Sequence, residues 1–436
     1  MNIIAIFPVI ILSILLSINS CKKQDEPPPV VEKPLPVVYD ETGCLFKSYE
    51  GLVMAGYQGW FTAEGDGADR GWHHYEKSGK FEPGMNTIDF WPDVREYVKT
   101  YKTSFKYPDG SDTYVYSPYD EESVDLHFKW MKEYGIDGVF MQRFVSEIKS
   151  VKGKNHFNKV LANALKAAKK YNRAICVMYD LSGSTSADMQ ILLNDWAELQ
   201  TLFSLFNNIE NPTYLRQNKR PLVVLWGVGF SDGRKYTLTD IKNTMESLRG
   251  PTLKVSIMLG VPYYWRTLER DTQNDPLLHS LIKSADIIMP WAVGRYNNTS
   301  YADIAISRLN QDISWCKNAN VGYIPLVFPG FSWGNLKGDF SLYDQIPRLK
   351  GDFMWKQISG AKETGAKSLY VAMFDEIDEG TAIFKCARSN ELPLNGAGRF
   401  VGIEDELGSD YYLWLAGQGA RWFHGEANLN YIKPVR

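Results

Sequence analysis

Eight short runs of consecutive apolar residues punctuate the chain, at 52–57, 138–141, 174–179, 222–226, 255–259, 287–290, 323–328 and 369–374. A strand with one wet face alternates apolar and polar residues. A strand covered on both faces reads as an unbroken apolar run, as in parallel sheets. The segments between the runs have helical spacing. Residues 123–134 place Val124, Phe128 and Met131 on one side, and 187–205 do the same with Leu192, Leu193, Trp196 and Leu199. Helices are also predicted over 160–171, 238–248, 276–282, 301–317 and 351–364, with one more at 411–422. Eight strand–helix alternations predict an α/β fold of the (β/α)8 barrel type. A doubly wound open sheet is the structural alternative, but no G-x-G-x-x-G turn follows an early strand.

The barrel is expected to occupy residues 40–390, with residues 391–436 as a short C-terminal extension packed on it. The first βα connection, 58–122, is the longest and is rich in Trp, Tyr, Asp and Gly. Long loops at the C-terminal ends of barrel strands build active sites, so chemistry is expected there.

The opening of the chain reads differently. Residues 1–20 carry no charge and Cys21 follows at once, which fits a secretory signal core. Ile18-Asn19-Ser20-Cys21 resembles the lipobox of bacterial lipoproteins, which implies lipidation of Cys21 and an extracytoplasmic protein anchored to the outer membrane. The alternative is an uncleaved N-terminal anchor. Lys22-Lys23-Gln24-Asp25-Glu26 resembles the charged tract that sends some lipoproteins to the cell surface. Five prolines between Pro27 and Pro36 make 21–39 a semi-rigid tether.

Composition sharpens this picture in two ways. Lys+Arg number 48 against 51 Asp+Glu, a net charge of −3, which excludes a basic nucleic-acid surface as the main theme. Aromatic residues reach 14%, with 13 Trp and 25 Tyr, more than core packing alone suggests. Flat rings stack on sugars, so the excess points toward carbohydrate. Cys44, Cys176, Cys316 and Cys386 have no C-x-x-C spacing, and their disulfide state is open.

The most informative segment follows the eighth apolar run: Asp375-Glu376-Ile377-Asp378-Glu379-Gly380-Thr381. Four carboxylates within five residues raise one another's pKa. Glycoside cleavage exploits that situation, with one carboxyl protonated and another ionised.

These residues carry a resemblance. Together with the opening Gly56-Tyr57-Gln58-Gly59-Trp60-Phe61, they resemble the family 99-like and family 71-like glycoside hydrolase barrels, the group that includes endo-α-mannosidases. Relatives with that opening are named xylosidases or arabinosidases. The family's Glu-x-x-Glu-Gly-Thr element is matched by Glu376 to Thr381, with Ile377-Asp378 where the family has Trp-His. The resemblance implies that Glu376 deprotonates the sugar 2-hydroxyl and that Glu379 protonates the departing oxygen. It implies retention through a 1,2-anhydro sugar. It also matches Trp72-His73 to a Trp-His element of the first loop.

Other candidates come from strand ends. In the first loop Tyr57, Gln58, Trp60, Asp66, Trp72 and His73 are candidate sugar contacts, with Asp69 and His74 nearby. Gln142 and Arg143, Tyr179 and Asp180, Trp226, Trp291 and Trp333 follow later strands. Aromatic faces, Arg and Gln around carboxyls describe a polar sugar cleft. Gly229-Phe230-Ser231-Asp232-Gly233 matches G-x-S-x-G but stands off its strand, so no nucleophile elbow is expected. The six histidines include one adjacent pair and no H-E-x-x-H, so no metal site is expected, and no organic cofactor is needed.

The sequence therefore predicts a lipid-anchored glycoside hydrolase that cleaves an α-linked polysaccharide or oligosaccharide. A non-catalytic surface glycan-binding lipoprotein and a same-fold xylosidase or arabinosidase are the alternatives.

Overall fold

The computed structural model describes residues 41–436. Eight parallel strands form its centre: β1 (Val53–Tyr57), β2 (Gly138–Phe144), β3 (Ala174–Asp180), β4 (Arg220–Trp226), β5 (Ser256–Pro262), β6 (Ile287–Trp291), β7 and β8 (Leu369–Val371). Strand β7 is broken into Gly322–Tyr323 and Leu326–Val327. The first piece pairs with β6 and the second with β8, while β8 pairs with β1. The ladder therefore closes into a barrel through the broken strand. Pro325 sits at the break, and a proline has no N–H to give the ladder. Its carbonyl still accepts from Tyr370 N at 3.0 Å. The predicted (β/α)8 architecture is what the chain adopts.

Helices α1 (Glu121–Tyr134), α2 (Val151–Tyr171), α3 (Asp188–Phe203), α4 (Leu238–Arg249), α5 (Leu277–Ser284), α6 (Ser307–Ala319) and α7 (Asp352–Glu363) alternate with the strands. Helix α2 begins nine residues before the predicted start. Ser150 caps it, accepting from Gly153 N at 3.0 Å, and its polar opening Lys-Gly-Lys-Asn-His hides the helical period. Helix α8 (Tyr411–Phe423) lies against α1 and α7 and completes the ring. Trp422 stacks on Trp355 of α7 with ring centroids 5.7 Å apart. Gly417 faces α1 so closely that a Cβ there would lie 1.8 Å from the Tyr134 carbonyl oxygen, so only glycine fits.

Strand residues alternate between two cores. Val139, Ile175, Val177, Val223 and Ile257 point outward onto the helices. Phe140, Cys176, Met178, Val224, Met258 and Tyr370 point inward and fill the barrel. Both sets are fully or nearly fully buried, which is why the strands read as continuous apolar runs.

The first βα connection is not a bare loop. It contains an antiparallel hairpin, Tyr101–Lys106 with Asp112–Val115, and an aromatic core of its own. Phe81 and Phe105 pack 4.9 Å apart, Trp91 lies 5.3 Å from Phe105, and Phe400 from the C-terminal segment covers Trp91 at 5.1 Å. This corrects the reading of the aromatic excess. Trp91, Trp130, Trp196, Trp265 and Trp355 are among the largest fully buried side chains, so much of the excess is packing.

All four cysteines of the described residues are buried and free. Among the described residues, no helix is long and apolar enough to cross a membrane. The predicted leader, the lipidation site Cys21 and the proline tether lie outside the described residues.

Candidate active site

The turn after β8 is clamped from several sides. Asp375 accepts from the backbone N–H groups of Gln58 and Gly59 at 2.7 and 2.9 Å, tying the end of β8 to the end of β1. Gly380 has φ +63° and lies against Ser332, where a Cβ would approach the Ser332 backbone to 3.0 Å. The Glu379 carbonyl accepts from Ser332 N at 3.0 Å, and the Glu376 carbonyl accepts from both Thr381 N and Ala382 N. Arg348 donates to the carbonyls of Gly380 and Ala382 at 3.0 and 2.7 Å. Buried Asp89 holds the neighbouring loop by accepting from Ser332 Oγ, Gly334 N and Asn335 N. A side chain on this turn has little freedom.

The two predicted glutamates sit in different surroundings on this turn. Glu376 is 4% exposed; its Oε1 accepts from Gln58 Nε2 at 2.5 Å and its Oε2 from Thr381 Oγ1 at 2.6 Å. Burial pushes its pKa well above the usual carboxylate range, Glu379 and Asp378 push it further, and the two donors pull it back. Glu379 is partly exposed, and burial together with the Asp378 and Asp180 charges raises its carboxyl to about 7, against the pull of Lys337. Burial also lifts Asp375 to about 7 and Asp180 to about 6. At neutral pH such a cluster retains protons.

Strand parity decides which predicted contacts reach this turn. Gln58, Asp180, Trp226 and Trp291 lie on the inward side of their strands, in register with the barrel-filling residues. Trp226 and Trp291 are half-buried and meet edge to face at 5.1 Å, and Arg234 lies over the Trp226 ring at 5.4 Å. Trp333, half-buried beside Phe331, carries Lys337 over its ring at 4.6 Å. Trp333 follows Ser332, whose N–H donates to the Glu379 carbonyl, while Trp226 and Trp291 stand at the C-terminal ends of β4 and β6.

Four predicted contacts are corrected. Tyr57 points outward; its hydroxyl lies 2.8 Å from His127 Nδ1 and its ring stacks on Phe374. Arg143 and Tyr179 also point outward, and both bond Asp195 of α3: Arg143 Nε and Nη2 at 2.6 Å, the Tyr179 hydroxyl at 2.6 Å. Buried charge needs such a partner, so these side chains hold β2 and β3 to α3. The inward residue beside Arg143 is Gln142, whose buried Oε1 has no hydrogen-bond partner. Asp66 is spent on its own turn, accepting from Ala63 N, Ala68 N and Ser117 Oγ at 2.7–2.9 Å.

Trp60 is 8% exposed, and the His74 imidazole stacks on its face at 3.7 Å and 8°. The surface a sugar would need is therefore taken by imidazole. Trp72 packs half-buried on Phe81 at 5.2 Å. His73 and His74 both reach Glu147, a residue just past β2 that sequence reasoning missed; Arg70 bonds the same carboxylate. Burial pushes the Glu147 carboxyl up, but the two imidazoles beside it outweigh that and hold it well below the usual range. Nothing local to Glu147 marks it, because its partners lie more than seventy residues earlier. Ser231 of the G-x-S-x-G segment donates to the Arg270 carbonyl at 2.9 Å and is exposed.

The same barrel is known in solved structures. The chain is similar to the GH99 endo-α-mannosidase from Bacteroides thetaiotaomicron, with a TM-score of 0.62 and 15% sequence identity, over 87% of this chain and 99% of that one. The complex of the B. thetaiotaomicron GH99 endo-α-mannosidase with bis-tris-propane gives 0.61 at the same identity and coverage. No family model matches the chain, and no curated protein does. The barrel is GH99-like in fold.

Proposed function

We propose that the protein is a retaining glycoside hydrolase acting on an α-linked glycan, with Glu376 and Glu379 as its catalytic pair. One observation carries the reading. Two carboxyls on one clamped turn at the C-terminal end of a barrel strand have opposite hydrogen-bond surroundings. Both oxygens of Glu376 accept from fixed donors, which favour its ionised form against the push of burial and suit a base. Glu379 lacks such donors and is partly exposed, and burial with the Asp378 charge raises its carboxyl to about 7, so near neutral pH it can hold a proton to give, which suits a general acid.

The reaction follows from these roles. Glu376 takes the proton of the sugar 2-hydroxyl as O2 attacks the anomeric carbon, while Glu379 gives its proton to the departing glycosidic oxygen. Water then opens the 1,2-anhydro ring. Glu379 removes a proton from that water, and Glu376 returns its proton to O2. Configuration is inverted twice and so retained. Trp226, Trp291 and Trp333 supply the stacking surface. The GH99 likeness supports an endo-acting α-mannosidase, and the N-terminal segment supports a lipid-anchored protein outside the cytoplasm.

The test is product analysis against α-mannans, α-glucans and arabinoxylans, with the fresh anomer read by NMR. Release of α-configured oligosaccharide from an α-mannan supports the proposal. Release from arabinoxylan alone overturns the mannosidase assignment, and glycan binding without any product overturns the enzyme.

A further inference from the structure

His73, His74 and Glu147 bring three potential ligand atoms within 4.8 Å of one another, from two separate segments of the chain. Among the described residues no other three His, Cys, Asp or Glu side chains converge this way. We propose that they bind a divalent cation of the zinc class at the edge of the acidic turn, with Asp378 orienting His74 from behind. This inference does not rest on the glycosidase reading.

The spacing suits a metal better than it suits hydrogen bonds. His73 Nε2 lies 3.2 Å and His74 Nε2 3.4 Å from the Glu147 carboxylate oxygens. Good charge-assisted hydrogen bonds are shorter, about 2.7–2.9 Å. Ligands about 2.1 Å from a tetrahedral ion lie about 3.4 Å apart. Two imidazoles and one carboxylate with a fourth position left for water is a familiar zinc donor set. Arg70 and His73 both face Glu147 Oε2, while Oε1 is turned toward His74.

The surroundings point the same way. His74 stacks on Trp60, which fixes the plane of its ring. Its other nitrogen, Nδ1, lies 3.5 Å from Asp378 Oδ2. Metal-bound histidines almost always present their second nitrogen to a carboxylate or carbonyl, which sets the tautomer and the ring's orientation. Asp378 is 2% exposed and its Oδ1 has no hydrogen-bond partner, an arrangement that buried solvent-free carboxylates avoid unless a charge is near. His73 is one-third exposed, so a small ion can enter.

The experiment is calorimetric titration of Zn²⁺ into the untagged, chelator-treated full chain, with Co²⁺ used in parallel for its visible spectrum. The expected result is saturable binding of about one equivalent, with the visible absorption of a tetrahedral Co²⁺ site. His73→Ala and Glu147→Gln should each remove it, and Asp378→Asn should weaken it about 10- to 100-fold at unchanged stoichiometry. Circular dichroism and thermal melting establish that each variant is folded. Absence of saturable binding in the native chain, or binding that survives His73→Ala combined with Glu147→Gln, overturns the proposal.

Discussion

Replacing Glu379 by Gln should stabilise the protein, and only above a definite pH. The Glu379 carboxyl is displaced from 4.5 to about 7, chiefly by burial and then by the Asp378 charge. That displacement corresponds to about 3 kcal/mol between protonation states. Because the side chain is partly exposed, solvent reduces the expected effect to about 1–2 kcal/mol. A raised folded pKa means the folded state holds a proton that the unfolded chain has released. The contribution of Glu379 to stability is therefore intact below pH 4.5 and is lost as pH rises toward 7. An amide has no proton to lose. Melting curves of Glu379→Gln and the native chain should coincide near pH 4. They should separate by about 2–3 °C above pH 7, in favour of the variant. Equal melting temperatures across the range, or a constant gain that includes pH 4, would refute the claim that this carboxyl is held against its ionisation.

Three further outcomes follow from the geometry. Arg143→Met should lower stability by about 3–5 kcal/mol, because it strands the buried Asp195 charge, while leaving the KM of the folded fraction unchanged; denaturant melts and kinetics separate the two effects. Tyr57→Phe should cost about 1 kcal/mol through the lost His127 bond, with glycan affinity intact in calorimetry. Trp226→Ala and Trp291→Ala should each weaken oligosaccharide binding about 10-fold or more without lowering the melting temperature comparably, since both rings are half-buried at the strand ends.

The barrel was legible because parallel strands covered on both faces leave unbroken apolar runs, and all eight observed strands overlap those runs. The same property hid the direction of the side chains. With both faces apolar there is no alternation to count back from, so Tyr57 and Gln58, Arg143 and Gln142, or Tyr179 and Asp180 look equivalent in sequence. One member of each pair faces the helices and the other the barrel axis. The acidic turn was legible from the density of its carboxylates, which few structural turns tolerate. The Glu147 cluster was not, since it forms only when the first loop folds back over the end of β2. The aromatic excess misled in part, because the first loop and the helical ring bury much of it.

The central claim is that Glu376 and Glu379 carry out glycosidic cleavage. Its most direct test is turnover of a polysaccharide cleaved by the native chain, measured for Glu376→Gln and Glu379→Gln with glycan binding followed in the same samples. Turnover is expected to fall at least about 1,000-fold in each variant, equivalent to about 4 kcal/mol of transition-state stabilisation, while binding persists. Turnover near the native rate in either folded variant would contradict it.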